Sequence, residues 1–350
     1  MAAGGKSLWD SAGGAGEAGA PKAEEIIESV DLRRVYNQLK DTYREITKEV
    51  SRVIVGQEDV LEQLMVAIFT DNHALLEGFP GLGKTMLVRT VAGVMDLKFR
   101  RIQCTPDLMP SDITGTYIVE EDASGRKRFR FEEGPVFTNI LLADEINRAT
   151  PKSQSALLES MQERQVTMGT TTHKLDRPFF VLATQNPIEM EGTYPLPEAQ
   201  VDRFLLKIMV DYPNLKEEER IVELYAGEFK PMVNKLMRKE HVLAIQDLTR
   251  KMPISGEVRE YALKIVAATR PSGKNTASHY LDYGASPRAS IGLVLASKAR
   301  ALLNGRNYVG KEDVKAMAYP TLRHRLILNF ESERKGLTGD KVITEILKEV

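Results

Sequence analysis

Ten residues in the first third of the chain, Gly78–Leu87, combine three glycines and a proline with a Lys-Thr pair in the sequence GFPGLGKTML. Gly78, Gly83, Lys84 and Thr85 fit the pattern G-x-x-x-x-G-K-[ST]. In this pattern successive backbone N–H groups surround the phosphates of a nucleotide, the lysine reaches the terminal phosphates, and the hydroxyl ligates Mg²⁺. The spacing therefore predicts a phosphate-binding loop.

The residues on both sides of this loop support the prediction. The stretch 73–77 (HALLE) is short and mostly apolar, which favours a strand that leads into the loop. A helix from Thr85 to about Val94 would add the positive end of its dipole to the phosphate site. The alternative is a glycine-rich turn that only caps a core strand, but the strand, loop and helix in this order favour nucleotide binding.

Two adjacent acids end a second apolar strand, which reads ILLADE from Ile140 to Glu145. Because ligands of parallel sheets bind at the carboxyl ends of the strands, we expect Asp144 to hold the water shell of Mg²⁺. We expect Glu145, one residue further on, to polarise the water that attacks the γ-phosphate. Adjacent acids also occur as N-caps of helices, and the phosphate-binding loop is what favours hydrolysis over that alternative.

A polar residue follows a third apolar strand, Phe179–Thr184 (FFVLAT). Asn186, within the tripeptide Gln-Asn-Pro, could orient the attacking water or contact the γ-phosphate if this strand lies beside the acidic one. The alternative is that Asn186 and Pro187 only form a turn. We expect the functional role, because the amide would share an edge of the sheet with the two acids.

Two arginines are candidates for stabilising charge on a phosphoryl group. Arg203 precedes the apolar strand Leu205–Val210, and an arginine that reaches a transferring phosphoryl group stabilises its transition state. A purely structural pair with Asp202 is the alternative for this residue. Arg288 lies at the start of a predicted helix, where acids are more usual than cations, so we expect it to reach back to the phosphates.

The bulk properties are those of an ordinary globular protein of about two domains. The 350 residues carry 48 Lys and Arg against 49 Asp and Glu, so the basic excess typical of a nucleic-acid binder is absent. The single cysteine, Cys104, excludes an intrachain disulfide and favours a reducing compartment, the cytoplasm. No apolar stretch is long enough to span a bilayer, and the Ala/Gly-rich residues 1–22 predict a disordered leader.

The predicted elements fall into two parts. Strands and helices alternate over residues 23–212, which predicts a parallel sheet with helices on both faces. Two hairpins interrupt this alternation, one around the turn 122–126 and one around the turn 169–172. Every later segment, within 213–350, has the pattern of a helix, including one that starts with Ser286 as cap and Pro287 at its first position.

Together these motifs resemble those of the AAA+ ATPases, and more narrowly those of the MoxR group. The residues that carry the resemblance are GFPGLGKT, ATQNP, EAQVDRF and the long run LLADEINRATPKSQSALLESMQE. The resemblance implies an αβα nucleotide-binding domain with a parallel sheet, followed by an all-α lid domain. It also implies a homo-oligomer, a hexameric ring, that binds and hydrolyses ATP with Mg²⁺.

The resemblance also assigns roles to individual residues. Its catalytic residues are Glu145, Asn186 (sensor 1), Arg203 (the finger that acts on the neighbouring subunit) and Arg288 (sensor 2). Its nucleotide-binding residues are Val55, Gly56, Gly78, Pro80, Gly81, Leu82, Gly83, Lys84, Thr85, Met86, Asp144 and Arg288. Thr85 and Asp144 are its Mg²⁺ ligands. Arg148 and Arg164 also fall near the expected subunit boundary, so they stay open as alternatives to Arg203.

Members of the MoxR group are described as chaperone-like, acting on other proteins that often contain von Willebrand factor A domains. The resemblance therefore implies ATP-driven remodelling of a client protein. A nucleic-acid motor is an alternative, because Arg126, Lys127, Arg128 and Arg130 make the first hairpin basic, although the threonine-rich second hairpin is poorly suited to phosphates. A chelatase-like metal-insertion ATPase is a further alternative with the same machinery. A scaffold that binds nucleotide without hydrolysis is disfavoured by Glu145.

Overall fold

The computed structural model describes residues 32–121, 126–187, 192–228, 232–272 and 275–350. The predicted leader, residues 1–22, lies outside the described residues, as does most of the first hairpin's turn.

In chain order the elements of the α/β part are α1 (Leu32–Val50), α2 (Glu58–Phe69), β1 (Ala74–Gly78), α3 (Lys84–Val94), β2 (Phe99–Gln103), α4 (Pro110–Thr114), β3 (Gly115–Glu121), β4 (Lys127–Glu133), β5 (Ile140–Asp144), α5 (Pro151–Glu163), β6 (Gln165–Met168), β7 (Thr171–Lys174), β8 (Phe180–Gln185), α6 (Glu198–Val201) and β9 (Leu206–Val210). The later elements are α7 (Leu215–Tyr225), α8 (Lys239–Lys251), α9 (Gly256–Ala268), α10 (Thr276–Tyr280), β10 (Leu281–Tyr283), α11 (Pro287–Leu303), α12 (Lys311–Leu322), β11 (Ile327–Leu328), α13 (Phe330–Arg334) and α14 (Gly339–Glu349).

Five strands form one parallel sheet in the order β2-β5-β8-β1-β9. The side chains of each central strand alternate between two hydrophobic cores, one on each face. In β5, for example, Ile140 and Leu142 belong to the first core and Leu141 and Ala143 to the second. Because helices cover both faces, the central strands are continuous apolar runs, and this confirms the parallel sheet predicted from the sequence.

The C-terminal helices share the first of these cores instead of forming a separate one. Helix α11 packs against α2, and α12 packs against the edge strand β9. Leu293 of α11 and Val314 of α12 are buried in the same cluster as Leu206 of β9. The helical region is therefore attached along the β9 edge of the sheet, and this placement determines where its arginines lie.

The C-terminal region is largely helical, as predicted, and it also contains a pair of very short strands. β10 and β11 pair antiparallel, with Leu281 opposite Leu328, and so join the start of α11 to the end of α12. The helix at Ser286 begins where predicted, at Pro287, yet the Ser286 side chain makes no capping bond. Its hydroxyl instead donates to Asp202 Oδ2 at 3.2 Å.

Both predicted hairpins are confirmed. β3 pairs with β4 and β6 pairs with β7, each in antiparallel register. The two hairpins contact each other, because the Phe131 ring of β4 stacks on the His173 ring of β7 with 4.0 Å between centroids. Among the helices of the described residues, none is both long and apolar enough to cross a membrane.

Candidate nucleotide site

The loop between β1 and α3 is an open cradle. Gly81 and Gly83 have φ angles of 84° and 73°, in the left-handed region that favours glycine. A Cβ built on either residue would meet no heavy atom within 4 Å, so open space lies beside the bare backbone. Gly83 is the N-cap of α3, whose first N–H groups and positive dipole end therefore face that space. The geometry fits the phosphates of a nucleotide.

Lys84, the first residue of α3, folds back over this cradle. Its Nζ donates to the carbonyl of Gly78, where β1 ends. Partial burial lowers the pKa of the Lys84 ammonium, while the nearby carboxylates of Asp144, Glu145 and Glu77 oppose that shift. Among the described residues no carboxylate lies in hydrogen-bond contact with the Lys84 ammonium, which is therefore available to an incoming anion once it leaves the Gly78 carbonyl.

A second pocket, of about 200 Å³, adjoins the cradle. Its lining includes Val53, Ile54, Val55, Gly56, Gly81, Leu82, Met86, Pro213, Ile221 and Tyr225. Tyr225 of α7 donates from Oη to the Val53 carbonyl at 2.6 Å, and Gln57 Nε2 donates to the Leu82 carbonyl at 3.0 Å. These bonds tie α7 and the segment before α2 to the loop, and they leave a mostly apolar slot of the size and chemistry that suits a purine base.

Asp144, the last residue of β5, has both carboxylate oxygens engaged. Thr184 of β8 donates from Oγ1 to Oδ1 at 2.6 Å. Arg101 of β2 donates to Oδ2 from Nε at 3.0 Å and from Nη2 at 2.7 Å. Among the described residues no cluster of three or more His, Cys, Asp or Glu could hold a metal ion. Carboxylate and hydroxyl oxygens are nevertheless typical Mg²⁺ ligands when phosphates and waters complete the coordination, so the oxygens of Asp144 and Thr85 fit that ion.

Glu145 has a strained backbone and a tethered side chain. Its φ of 57° is in the left-handed region, which is unusual for a non-glycine residue and typical of functional positions. Gln103 Nε2 donates to its Oε2 at 2.8 Å, and Arg148 Nη1 donates to the same oxygen at 3.2 Å. The carboxylate makes no N-cap hydrogen bond to the short 3₁₀ turn that follows, which argues against the capping alternative.

Asn186 follows β8 directly and is buried. Gln185, the residue before it, is paired with Glu77 at the carboxyl end of β1. The neighbouring strand β5 ends at Asp144. The fold therefore brings Asn186, the two acids and the phosphate cradle to one edge of the sheet, as the spacing predicted.

Arg203 lies at the opposite edge. β9 begins beyond it at Leu206, which is paired with Ala74 at the amino end of β1. The cradle follows Gly78, so roughly 13 Å of strand, at ~3.3 Å per residue, separates the two ends. Within the described part of the chain, no hydrogen bond or ion pair to the Arg203 guanidinium is found; Asp202 pairs with Arg325 at 2.6 Å instead. The structural Arg203–Asp202 pair is therefore not formed.

Arg288 also lies at this opposite edge, so the expectation that it reaches the phosphates of its own chain is wrong. Its Nη1 is 3.8 Å from Asp202 Oδ2, and half of its side chain is exposed. The reason is the packing of α11 against α2, which sets the start of α11 beside the amino ends of the strands. The Arg288 guanidinium therefore lies away from the phosphate cradle of its own chain.

These arginines line a cavity of about 540 Å³, which we call the basic cavity. Its charged lining consists of Arg164, Arg203, Arg288 and Arg325 with the acids Asp71, Glu163 and Asp202. Arg164 is held by the buried Asp71, with Nη1 donating to Oδ1 at 2.7 Å and Nη2 donating to the Asp71 carbonyl at 2.7 Å. Arg148 contacts Glu145 at the other edge. Of the three candidate finger residues, Arg203 has the guanidinium that is not engaged.

The segment Arg323–Arg325, just beyond α12, packs against the start of β9. His324 is half-buried, and Arg325 has a side chain only 3% exposed. Burial and neighbouring cations hold the pKa of His324 well below its usual range, so its ring is neutral. All three side chains reach across to residues 202–207 at the start of β9.

Sequence reasoning missed the partners of the acids, Arg101, Gln103 and Thr184. A signal was present in β2, because Arg101 and Gln103 flank the buried Ile102 and so share one face beside β5. Tyr225 and Ile221 of the base pocket carried no such signal. They belong to an amphipathic helix whose contacts only the fold determines.

Comparison with known proteins agrees with this geometry. Residues 73–206 match the model of the ATPase family associated with various cellular activities (AAA), and residues 274–346 match that of the AAA lid domain. Chaperone MoxR1 of Mycobacterium tuberculosis is 45% identical over 305 residues, which cover 86% of this chain and 80% of that protein. Protein MoxR of Methylorubrum extorquens is 30% identical over 331 residues, covering 87% and 93%.

A solved structure is also similar. The crystal structure of a protein from Cytophaga hutchinsonii, assigned as an ATPase, superposes with a TM-score of 0.85 at 45% sequence identity. The match covers 93% of this chain and 98% of that one.

Proposed function

This chain belongs to the MoxR family of AAA+ ATPases, and from that premise we propose that it hydrolyses Mg·ATP at sites shared between neighbouring copies and uses the energy to remodel a client protein. One observation carries the shared site: the phosphate cradle and Arg203 lie at opposite edges of the same sheet. We also propose a cytoplasmic location, in line with a single cysteine, Cys104, that is buried.

In one copy, the carboxyl edge of the sheet binds the nucleotide. The N–H groups of the cradle and Lys84 hold the phosphates, and the slot beside Tyr225 holds the base. Thr85 and Asp144 would hold Mg²⁺, which supplies charge neutralisation on the phosphate oxygens. Glu145 and Asn186 orient the attacking water. Glu145 is able to do so only after its carboxylate leaves Gln103 or turns its free oxygen toward the cradle.

In the neighbouring copy, the basic cavity supplies the remaining charge. Arg203 has no internal partner among the described residues, and Arg288 has only a loose contact of 3.8 Å with Asp202. Both guanidiniums face a cavity wide enough to accept part of another chain. An arginine supplied in trans is worth about 10³–10⁵ in rate in related phosphoryl-transfer enzymes. A head-to-tail contact of this kind closes into a ring, and a hexamer is the assembly we propose.

The first hairpin is the part that we propose to contact the client. Val119 of β3 and Phe129 of β4 are paired across the strands and are 57% and 78% exposed. An exposed pair of this kind, rimmed by charged neighbours, is typical of a protein-binding surface. The Phe131–His173 stack links this hairpin to the second one, and β8, beyond the second hairpin, leads to Asn186. Clients with von Willebrand factor A domains are the class implied by the MoxR resemblance alone.

A nucleic-acid client is less well supported. Arg130, one of the basic residues of the first hairpin, lies 3.3 Å from Glu120 and 3.6 Å from Glu132, so its charge is already balanced. Metal insertion would use the same ATPase site, and no metal cluster among the described residues favours it.

The shared site is tested by mixing two inactive variants. Lys84→Ala removes the lysine that holds the phosphates, here called the nucleotide grip, and keeps Arg203, the finger. Arg203→Ala keeps the nucleotide grip and removes the finger. Each variant alone should be inactive. An equal mixture should recover up to about a quarter of wild-type ATPase activity, because a quarter of random neighbour pairs combine an intact grip with an intact finger.

The control is Lys84→Ala mixed with the Lys84→Ala/Arg203→Ala double variant, which should stay inactive. Co-assembly of the two subunits is checked by mass photometry with a size-tagged variant. Activity of Arg203→Ala alone, or no recovery in mixed particles, would overturn the shared site.

Client binding is tested with Glu145→Gln, which should bind ATP, hydrolyse it slowly and retain its client. A pull-down with and without ATP, against Glu159→Gln on the exposed face of α5, separates ATP-dependent retention from background. Equal recovery by both variants would contradict client remodelling.

A further inference from the structure

Arg325, beyond the end of α12, has all five of its N–H groups bonded. Nε donates to Asp202 Oδ1 at 2.6 Å, and Nη2 donates to the Asp202 and Phe204 carbonyls at 3.1 and 2.7 Å. Nη1 donates to the Leu205 carbonyl at 3.1 Å and to the Thr321 carbonyl of its own helix. A guanidinium has no further donor to give. Arg325 therefore bonds the residues on both sides of Arg203 and makes no bond to Arg203 itself.

The same short loop is held by other residues of the helical region. His324 donates from Nε2 to the Phe204 carbonyl at 3.0 Å, whereas the neighbouring Arg323 donates at 2.9 Å to the carbonyl of Lys207, which lies in β9 beyond this loop. Ser286, at the start of α11, donates to the Asp202 oxygen that Arg325 does not take. The Asp202 carboxylate thus joins the end of α12 and the start of α11 to the loop that carries Arg203.

These contacts hold the backbone on both sides of Arg203, and none of them holds the Arg203 side chain itself. Arg325 is almost fully buried, and its planar fork bonds the backbone carbonyls of Asp202, Phe204 and Leu205, so the loop must follow the end of α12 when that helix moves. The Arg203 side chain, in contrast, has no partner within the described residues and is half-buried at the basic cavity. Its position therefore depends on its backbone, and its backbone is held by the lid.

We propose that Arg325 is a positioning residue for ATP hydrolysis, which couples the position of the helical region to the finger residue Arg203. The proposal rests on the shared site proposed above, in which Arg203 acts on the nucleotide of the neighbouring copy. A movement of the lid in one subunit then sets the rate of hydrolysis in the next, because the finger loop and the lid form one bonded unit.

The test variant is Arg325→Lys, which keeps the charge and loses the fork. We expect kcat to fall by about 10- to 100-fold, as for a misplacement near 1 Å, while ATP affinity measured with a fluorescent analogue stays unchanged. The matched control is Arg323→Gln, two residues away, whose side chain bonds Lys207 and Asp340 and not the residues flanking Arg203. This control should retain kcat within about twofold.

Subunit mixing shows where the defect acts. Arg325→Lys mixed with Lys84→Ala should regain activity, because the second variant supplies an intact finger to the intact nucleotide grip of the first. Arg325→Lys mixed with Arg203→Ala should not, because both lack a working finger. The opposite pattern, recovery only with Arg203→Ala, would place the defect in the subunit's own nucleotide grip and would overturn the proposal.

Failure of the shared site gives a different result. If Lys84→Ala and Arg203→Ala do not complement each other, the shared site is wrong whatever Arg325 does. If they complement and Arg325→Lys does not complement Lys84→Ala, only the positioning role is wrong. Should Arg325→Lys not fold, by circular dichroism and thermal melting, Asp202→Asn tests the same contact from the finger side, with the same expected mixing pattern.

Discussion

Arg101 donates two hydrogen bonds to one oxygen of Asp144, at 3.0 and 2.7 Å. Its Nη2 also donates to Gln103, which in turn donates to Glu145. A single guanidinium of β2 is thus connected to both acids at the end of β5. In this arrangement a divalent ion and its water shell compete with Arg101 for Asp144.

Replacing Arg101 by methionine should therefore make Mg²⁺ bind more readily. The ion pair is half-exposed on the arginine side, so its removal should lower the Mg²⁺ concentration for half-maximal nucleotide binding by about two- to fivefold. The measurement is a Mg²⁺ titration with a fluorescent ATP analogue. Arg100→Met is the control, because Arg100 donates to the Gly134 carbonyl and not to either acid. A higher Mg²⁺ requirement would show that Arg101 assists the ligand.

Gly56→Ala should destabilise the protein and weaken nucleotide binding. Gly56 has a φ of 72°, and an added Cβ would lie 2.3 Å from Cδ of Glu217, at the start of α7. The left-handed backbone, which alanine adopts with strain, should cost about 1–3 kcal/mol of unfolding free energy, while the flexible Glu217 side chain can move away from the added Cβ. Gly56 also lines the base pocket, so the strained backbone should weaken nucleotide binding.

Urea denaturation and nucleotide titration check both effects. Gly227→Ala is the control, because Gly227 is exposed and its Cβ would meet nothing within 4 Å. Equal stability of the two variants would contradict the backbone strain expected at Gly56.

The stability of the fold should fall as the pH decreases from about 6.5 toward 4. The backbone N–H of Val181 donates to Nδ1 of the buried His73. The proton of the neutral His73 ring is therefore on Nε2, which donates to the Met161 carbonyl. Burial lowers the pKa of His73 to about 4. The unfolded chain takes up a proton near pH 6.5 and the folded one does not, so acid favours unfolding by up to ~3 kcal/mol.

Urea unfolding at pH 7, 6 and 5 measures the slope of the unfolding free energy against pH. His73→Gln should be less stable at pH 7 and should show a shallower slope over the same range. The slope should not vanish, because the pKa of His324 is lowered as well. An unchanged slope in His73→Gln would exclude His73 as a source of the acid sensitivity.

Phe129→Ser should reduce client retention in the Glu145→Gln pull-down without changing thermal stability. Phe129 is 78% exposed, so it adds little to the core, and its loss removes the larger of the two exposed apolar side chains paired at Val119 and Phe129. Phe330→Ser is a matched control, because Phe330 is equally exposed but lies in the helical region. Equal loss of client from both variants would argue against the hairpin as the contact surface.

Local chemistry in this protein could be predicted from the order of residues along the chain. The G-x-x-x-x-G-K-[ST] spacing marks the cradle, because the loop's backbone and its lysine are consecutive in the chain. The apolar runs before Asp144 and Asn186 predict buried parallel strands, and parallel strands bring their carboxyl ends to one edge. These residues could be grouped correctly without knowing any contact between distant segments.

Which arginines lie at which edge of the sheet depends on contacts between distant segments of the chain. Arg325 and Asp202 are 123 residues apart in the chain, and no local pattern relates them. The placement of Arg288, predicted at its own phosphates, was wrong because it depends on α11 packing against α2. Long-range packing of the helical region on the β9 edge fixes these positions. They could not be predicted from the sequence, because the burial of apolar surface favours contact in general and does not specify which two faces meet.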